Sequence, residues 1–134
     1  MKLYGNHWLV HFLECRKLTK AGRIVIDDAP VLEKIIVNAL ERENAHILFS
    51  NSYQFKPQGV TVVVGISESH ASAHTWPEDK FVEFDFNTCN PGMSGEKIIR
   101  EIGEKIGAKR AVFRKVERFM GEIEFNEMEV IEFK

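Results

Sequence analysis

Two amphipathic helical segments interrupt a chain that otherwise consists of strand-forming segments, and this order constrains the fold more than any other feature. The first helix is predicted to start at Asp27-Asp28-Ala29-Pro30, where carboxylates and a proline mark a helix N-terminus, and to end near Glu43. The second is predicted to start at the N-cap residue Ser94 and to stop at Gly107. Apolar residues recur at helical spacing in both: Leu32, Ile35, Ile36, Ala39 and Leu40 in the first, and Ile98, Ile99, Ile102 and Ile106 in the second.

Strand-forming segments precede, separate and follow the two helices. Lys56-Pro57-Gln58-Gly59 is a turn between two of them and predicts a hairpin. Gly65 interrupts a β-branched run, which predicts a bulge or a close backbone approach. The order predicts an α+β fold, a two-layer α/β sandwich in which a mostly antiparallel sheet carries both helices on one face. The predicted strands comprise residues 6–14, 45–55, 60–66, 70–76, 81–88, 111–118 and 122–133.

The length and charge of the chain limit its organisation and its partners. A chain of 134 residues is expected to form a single domain spanning 1–134. Its net charge of -2 gives no strong field that favours nucleic acid or an anionic membrane. No apolar run approaches the roughly 18 residues that span a bilayer, and the first residues lack the apolar region of a signal peptide. Two cysteines, Cys15 and Cys89, do not form a disulfide framework, which favours a reducing, cytoplasmic location.

The segment from Ser67 to Glu78 is chemically the most informative, because it concentrates serine and histidine without a run of charges. Strand alternation predicts that its histidines share one sheet face and that the next strand adds a polar face ending in a thiol. Solvated strand faces favour Lys, Glu and Thr, so this composition favours a functional site. The residues on the two predicted faces are His70, Ser72, His74 and Trp76, followed by Glu83, Asp85, Asn87 and Cys89.

Two familiar kinds of site fit these residues poorly. A zinc ion shared by His70 and His74 requires both nitrogens within about 2.0–2.3 Å of the metal, whereas four strand rises separate the residues by about 13 Å. A hydrolase triad of Ser69, His74 and Asp85 can be assembled from the residue types, but the glycine-flanked nucleophile elbow is absent. We therefore expect no metal site, and the triad stays open as a weak alternative.

A third kind of chemistry, self-processing at Glu68-Ser69, uses more of these residues. A serine hydroxyl held against the preceding carbonyl can attack it and form an ester. Elimination then releases Glu68 as a new C-terminus and leaves dehydroalanine, which hydrolyses to a pyruvoyl group. This ketone can form a Schiff base with an amino acid and act as an electron sink for decarboxylation. The scheme needs a base for the serine α-proton and an acid for the substrate carbanion, and His74 and Cys89 have the right chemistry.

A series of short motifs runs along the chain: Gly5-Asn6-His7 through Glu14-Cys15, Phe55-x-Pro57-x-Gly59-Val60, Ile66-Ser67-Glu68-Ser69-His70, His74-Thr75-Trp76-Pro77-Glu78 and Asp85-x-x-Thr88-Cys89. Their order and spacing resemble those of the short prokaryotic S-adenosylmethionine decarboxylases, which are pyruvoyl enzymes. The resemblance covers most of the chain and is strongest between Phe55 and Cys89.

The resemblance implies a role for each matching residue. Glu68-Ser69 matches the self-cleaved bond, so that Ser69 becomes a covalent pyruvoyl cofactor. His74 matches the processing histidine, and Cys89 matches the proton donor of decarboxylation. Thr61 stands where the family usually has a serine that assists processing. Its added methyl stiffens the side chain and predicts slower or differently arranged processing.

The resemblance also implies a substrate and an assembly. Phe55 and Trp76 match aromatic positions that stack on adenine or face the sulfonium cation, and Glu78 matches an acidic position that accepts hydrogen bonds from ribose hydroxyls. These positions imply decarboxylation of S-adenosylmethionine, which supplies the aminopropyl donor for polyamine (spermidine) synthesis. The implied assembly is a homodimer of chains cleaved into 1–68 and 69–134, with sites near the interface and no metal or added cofactor.

Two alternatives remain open from the sequence. The same fold hosts pyruvoyl enzymes that decarboxylate arginine or ornithine, although the aromatic positions and Glu78 favour S-adenosylmethionine. The other alternative is a non-catalytic homologue that stays unprocessed and regulates a partner. The presence of Ser69, His74 and Cys89 argues against it, because a dead copy has no need of them.

Overall fold

One antiparallel sheet of eight strands dominates the computed structural model, which describes residues 2–134. The elements are β1 (Leu3–Leu13), α1 (Ala29–Arg42), β2 (Ile47–Gln54), β3 (Val60–Ile66), β4 (Ser69–Trp76), β5 (Phe81–Thr88), α2 (Gly95–Ile106), β6 (Arg110–Phe119), β7 (Glu122–Phe125) and β8 (Glu129–Glu132). The strands lie in the order β2-β3-β4-β5-β1-β6-β7, and β8 also pairs with β6. The β2–β3 hairpin forms as predicted.

Both helices pack on one face of the sheet and bury the core between the two layers. The Asp28 side chain caps α1 by accepting a hydrogen bond from the Val31 N–H at 3.2 Å, and Ser94 caps α2 through the Lys97 N–H at 3.2 Å. Gly107 ends α2 with a φ of +69°, which glycine adopts without strain. The predicted α+β sandwich is therefore confirmed. Of the described residues, neither helix has the length and apolar character that crossing a membrane requires.

The single C-terminal strand predicted at 122–133 is wrong, because the structure divides it into β7 and β8. β7 pairs with the C-terminal half of β6, and β8 pairs with the N-terminal half. Residues 126–128 between them contain one residue more than the opposing stretch of β6, which makes a bulge. The Asn126 N–H donates to the Lys115 carbonyl at 2.8 Å and keeps the bulged segment on the sheet.

The other face of the sheet carries no helix within residues 2–134, and we call it the open face. Alternation along β4 turns Ala71 and Ala73 toward the core and leaves His70, Ser72 and His74 on the open face, as predicted. This face also carries exposed apolar side chains, namely Leu9, Phe49, Tyr53, Val63, Trp76, Phe125 and Val130.

Gly65 lies on the open face directly beneath the Phe49 ring. A Cβ at Gly65 would meet ring atom Cε1 of Phe49 at 2.2 Å, so a larger residue would displace the ring. The predicted close backbone approach is wrong, because the group that approaches Gly65 is the Phe49 side chain. The adjoining register shift lies in β2, between Ile47 and Phe49.

Candidate active site

The Glu68-Ser69 bond lies at the tight turn between β3 and β4. Ser67 and Glu68 form the turn, and Ser69 is the first residue of β4, where it pairs with Thr88 of β5. The φ angle of Ser69 is +150°, which residues with a Cβ rarely adopt. Such a conformation costs on the order of 1–3 kcal/mol and persists only where the surroundings impose it. The backbone is thus strained at the residue that the motif pattern selects for cleavage.

Glu68 is held at both its carbonyl and its carboxylate. The Cys89 N–H donates a hydrogen bond to the Glu68 carbonyl oxygen at 2.9 Å. His46 contacts the carboxylate through Nδ1 at 2.7 Å and through its backbone N–H at 3.2 Å. The side-chain hydrogen bond to His46 lowers the pKa of Glu68 below its usual value. An N–H aimed at a carbonyl oxygen stabilises the charge that develops there during nucleophilic attack, so the Glu68 carbonyl is polarised for such a reaction.

The Ser69 hydroxyl belongs to a connected set of polar side chains on the open face. Ser69 Oγ lies 3.2 Å from His70 Nδ1 and 3.2 Å from Asn87 Nδ2. His70 Nε2 lies 3.3 Å from Asp85 Oδ2, and His7 Nε2 approaches the same oxygen at 2.6 Å. We call Ser69, His70, Asn87, Asp85 and His7 the Ser69 cluster.

Asp85 is the ionised centre of the Ser69 cluster. Burial raises the pKa of Asp85, but the hydrogen bonds from His7 and Ser72 outweigh burial, so the pKa lies below its usual value. Ligand atoms of His7, His70 and Asp85 lie within 4.8 Å of one another, a spacing that also suits a metal ion. The three groups are joined to one another by hydrogen bonds in this structure.

The remaining predicted site residues gather at the other end of β4. Thr61 on β3 pairs with His74, and Thr61 Oγ1 lies 3.1 Å from His74 Nδ1. Both line a cleft of about 430 Å³ together with Phe55, Trp76 and Glu78. The Phe55 and Trp76 side chains are 46% and 39% exposed, so a ligand in the cleft can contact them. We call these five residues the aromatic cleft.

The aromatic cleft and the Glu68-Ser69 bond are too far apart to act together within one chain. His74 follows Ser69 by five positions on β4, which at about 3.3 Å per residue separates them by about 16 Å. Proton transfer requires heavy atoms about 3 Å apart. The hypothetical triad of Ser69, His74 and Asp85 is therefore wrong, because His70 and not His74 lies between the serine and the aspartate.

The two free cysteines lie in opposite environments. Cys15 is fully buried, and burial raises the pKa of its thiol to about 12, which makes it an inert core residue. Cys89 is exposed and directly follows Thr88, the strand partner of Ser69. A thiol at this position adjoins the Glu68-Ser69 bond, where the sequence predicts a proton donor.

The sequence patterns place Asn87 on the predicted polar face, but they do not single out His7 or His46 as site residues. His46 is an isolated histidine just before β2, and no local pattern indicates that it reaches Glu68. His7 and His70 are both cross-strand partners of Asn87, so alternation combined with strand order reveals them. The missing information is the pairing of β1 with β5, which are distant in sequence.

Sequence comparisons point to one family. The family model for S-adenosylmethionine decarboxylase matches residues 6–119. An S-adenosylmethionine decarboxylase proenzyme from Methanococcus maripaludis is 37% identical over 102 residues, which cover 76% of this chain and 79% of that relative. A proenzyme of the same name from Pseudomonas aeruginosa is 34% identical over 95 residues, covering 71% of this chain and 59% of the relative.

A solved structure agrees with this family. The crystal structure of the adenosylmethionine decarboxylase from Aquifex aeolicus VF5 matches with a TM-score of 0.71 and 26% sequence identity. The match covers 98% of this chain and 92% of that chain, so the similarity extends over nearly the whole fold.

Proposed function

The chain belongs to the S-adenosylmethionine decarboxylase family, and we propose that it is a proenzyme that cleaves itself and then decarboxylates S-adenosylmethionine. Cleavage between Glu68 and Ser69 gives fragments 1–68 and 69–134, which stay in one fold. The product supplies the aminopropyl group for spermidine synthesis in the cytoplasm. The observation that carries the proposal is the Glu68-Ser69 bond, where a strained residue follows a carbonyl held by the Cys89 N–H.

Self-cleavage begins with an acyl shift from nitrogen to oxygen. Ser69 Oγ attacks the Glu68 carbonyl carbon, and the Cys89 N–H stabilises the oxygen that becomes negatively charged. The C–N bond between Glu68 and Ser69 then breaks, and an ester between the Glu68 carbonyl and Ser69 Oγ remains. Loss of the strained φ of Ser69 favours this step.

The ester is then eliminated by removal of the Ser69 α-proton. Glu68 leaves as a carboxylate, and the remaining dehydroalanine gains water and loses ammonia to give a pyruvoyl group. His74 is the base for this elimination. Thr61 orients the imidazole through the contact between Oγ1 and Nδ1 at 3.1 Å.

A pyruvoyl group at position 69 supplies an electrophilic carbonyl that binds the substrate amine and withdraws electrons as carbon dioxide leaves. The surroundings of Ser69 suit such a group, because Ser69 is half-buried at a strand end and the exposed Cys89 thiol follows its strand partner Thr88. Cys89 holds a proton on Sγ and returns it to the substrate carbon that has lost its carboxylate.

The aromatic cleft favours S-adenosylmethionine over arginine or ornithine. Phe55 and Trp76 offer exposed aromatic faces that can stack on adenine or face a sulfonium cation. Glu78 lies on the same cleft and can accept hydrogen bonds from ribose hydroxyls. Arginine and ornithine have no purine to fill such a cleft.

A second copy of the chain completes the site in this proposal. The Glu68-Ser69 bond and the aromatic cleft lie at opposite ends of β4, about 16 Å apart by strand rise. A twofold axis near the middle of β4 that packs two open faces together brings each cleft over the other chain's Glu68-Ser69 bond. Exposed apolar side chains such as Leu9 and Val63 make the open face suitable for burial in this interface. His74 of the partner subunit thereby reaches Ser69.

Electrophoresis and a decarboxylation assay on purified variants test the function. The wild-type chain is expected to give two fragments and to release carbon dioxide from S-adenosylmethionine but not from arginine or ornithine. Ser69→Ala is expected to stay whole and inactive, whereas Ser67→Ala, which removes a neighbouring hydroxyl of the same turn, is expected to cleave normally.

Other outcomes contradict the proposal in separate ways. Release of carbon dioxide from arginine or ornithine alone would refute the substrate assignment. A wild-type chain that folds, stays whole and releases no carbon dioxide would support the non-catalytic regulatory alternative.

A further inference from the structure

We propose that His70 is the base that activates Ser69 for self-cleavage, and that Asp85 and His7 hold His70 in the form that can accept the proton. This inference rests on the proposed self-cleavage and assigns a residue to its first step. It separates the two proton removals: His70 acts on the Ser69 hydroxyl, and His74 acts later on the Ser69 α-carbon.

The contacts of Ser69 Oγ direct its hydrogen toward His70. The Asn87 Nδ2 amide group donates to Oγ at 3.2 Å and occupies one lone pair. The second polar neighbour of Oγ is His70 Nδ1 at 3.2 Å. Because the amide N–H can only donate, the serine hydrogen is left to point at the imidazole nitrogen.

The contacts of His70 fix which ring nitrogen is free to accept that hydrogen. Its other nitrogen, Nε2, lies 3.3 Å from Asp85 Oδ2. An ionised carboxylate only accepts hydrogen bonds, so Nε2 carries the hydrogen and Nδ1 presents a lone pair to Ser69. The order serine, imidazole, carboxylate is the arrangement that activates serine nucleophiles in unrelated folds.

Asp85 is in turn held by two further donors. His7 Nε2 binds Oδ2 at 2.6 Å, and the Ser72 hydroxyl binds the other oxygen, Oδ1. These contacts come from β1 and β4 on either side of β5, so the carboxylate is fixed between its two neighbouring strands. Asp85 and His7 do not touch the reacting atoms, and their role is to position His70.

The proposed step balances without an added reactant. The Ser69 hydroxyl proton moves to His70 Nδ1 as the bond from Oγ to the Glu68 carbonyl carbon forms. The C–N bond then breaks, and the proton held by His70 passes to the departing Ser69 nitrogen. The chain is converted to its ester isomer. His70 returns to its neutral state and takes no further part in cleavage.

Hydroxylamine separates this step from the elimination that follows, because it cleaves esters and leaves ordinary peptide bonds intact. His74→Ala is expected to accumulate the ester. The chain therefore stays whole without hydroxylamine and is cut after Glu68 when hydroxylamine is added. His70→Asn retains a hydrogen-bonding group near the position of Nδ1 but cannot take up a proton. It is expected to form the ester at least about 100-fold more slowly, the usual scale of general-base catalysis, and therefore to resist cutting over the time that suffices for His74→Ala.

Chemical rescue distinguishes a base from a structural residue. Removal of the His70 side chain leaves a space of the size of an imidazole ring between Ser69 and Asp85, which added imidazole can fill in His70→Ala. Imidazole is expected to restore cleavage of that variant and to leave the wild-type rate unchanged. His11→Gln is the matched control, because it removes a histidine of β1 whose ring contacts Phe81 edge to face. This variant is expected to cleave at the wild-type rate.

Asp85→Asn tests the positioning role with the same readout. It is expected to slow formation of the ester trapped by hydroxylamine, but not the elimination of ester once formed. Circular dichroism confirms that each variant is folded. A chelator is expected to leave wild-type cleavage unchanged. Loss of cleavage after chelation would replace the proposal with a metal site at His7, His70 and Asp85.

The outcomes distinguish this inference from the function on which it rests. Wild-type cleavage together with an unimpaired, folded His70→Asn would overturn the role of His70 and leave self-cleavage intact. The same conclusion follows if His70→Asn accumulates an ester as His74→Ala does. Absence of cleavage in the wild-type chain would instead overturn the proposed function itself.

Discussion

Two inactive chains are expected to restore each other when they are produced together. Ser69→Ala lacks the cleavage nucleophile, and His74→Ala lacks the elimination base. The two residues lie about 16 Å apart along β4, about five times the reach of a proton transfer, so one chain cannot supply both to one site. In a mixed dimer, however, one of the two sites combines Ser69 of one chain with His74 of the other.

The size of the restored signal follows from random pairing. Equal amounts of the two chains give about half of all dimers as mixed dimers, so about half of the His74→Ala chains are cleaved and activity reaches about a quarter of the wild-type value. Different affinity tags on the two chains allow electrophoresis to show which chain is cut, and only the His74→Ala chain is expected to be.

A matched control excludes restoration by other routes. Pairing His74→Ala with the double variant Ser69→Ala/His74→Ala provides no intact His74, and no cleavage is expected. Absence of cleavage with the Ser69→Ala partner, in a preparation where mixed dimers are recovered through both tags, would refute the shared site and the geometric reasoning behind it.

Two further predictions follow from the same site. Cys89→Ala should still cleave, because the hydrogen bond to the Glu68 carbonyl comes from the backbone N–H. Its decarboxylation rate should fall by about 10²–10⁴-fold, as expected for loss of a proton donor. Loss of cleavage in a folded Cys89→Ala variant would contradict the assigned role. In the uncleavable Ser69→Ala chain, adding Asp85→Asn should lower the free energy of unfolding near neutral pH, measured with urea. Because the pKa of Asp85 is lowered by folding, this difference should be present above the unfolded pKa of about 3.9 and shrink as the pH falls through the lower folded value; a difference that grows in acid would contradict the assignment.

Local patterns were sufficient to predict both helices and the layer arrangement. Asp28 and Ser94 cap the helices where their residue types indicate, and alternation places His70 and His74 on one face of β4. These features depend on residues close in sequence. The bulge at 126–128 was missed because a bulge changes register without changing the strand-forming composition on either side.

The candidate site was only partly predictable for a different reason. The order of motifs selects Ser69, His74 and Cys89, but their residue types do not reveal which of them meet in one chain. The strand rise that excludes a zinc ion between His70 and His74 also separates His74 from Ser69. The distance between these two site residues could therefore be deduced from the sequence. The contact of His7 with Asp85 was not, because it depends on the pairing of β1 with β5.

The mass of the C-terminal fragment tests the central claim most directly. Denaturing mass spectrometry of freshly purified protein is expected to show fragment 1–68 ending in an ordinary carboxylate, and fragment 69–134 beginning with a pyruvoyl group in place of serine. A fragment 69–134 that retains an N-terminal serine would show hydrolysis without formation of the cofactor. A single chain that stays unmodified and shows no decarboxylation over days would contradict self-cleavage and the proposed function together.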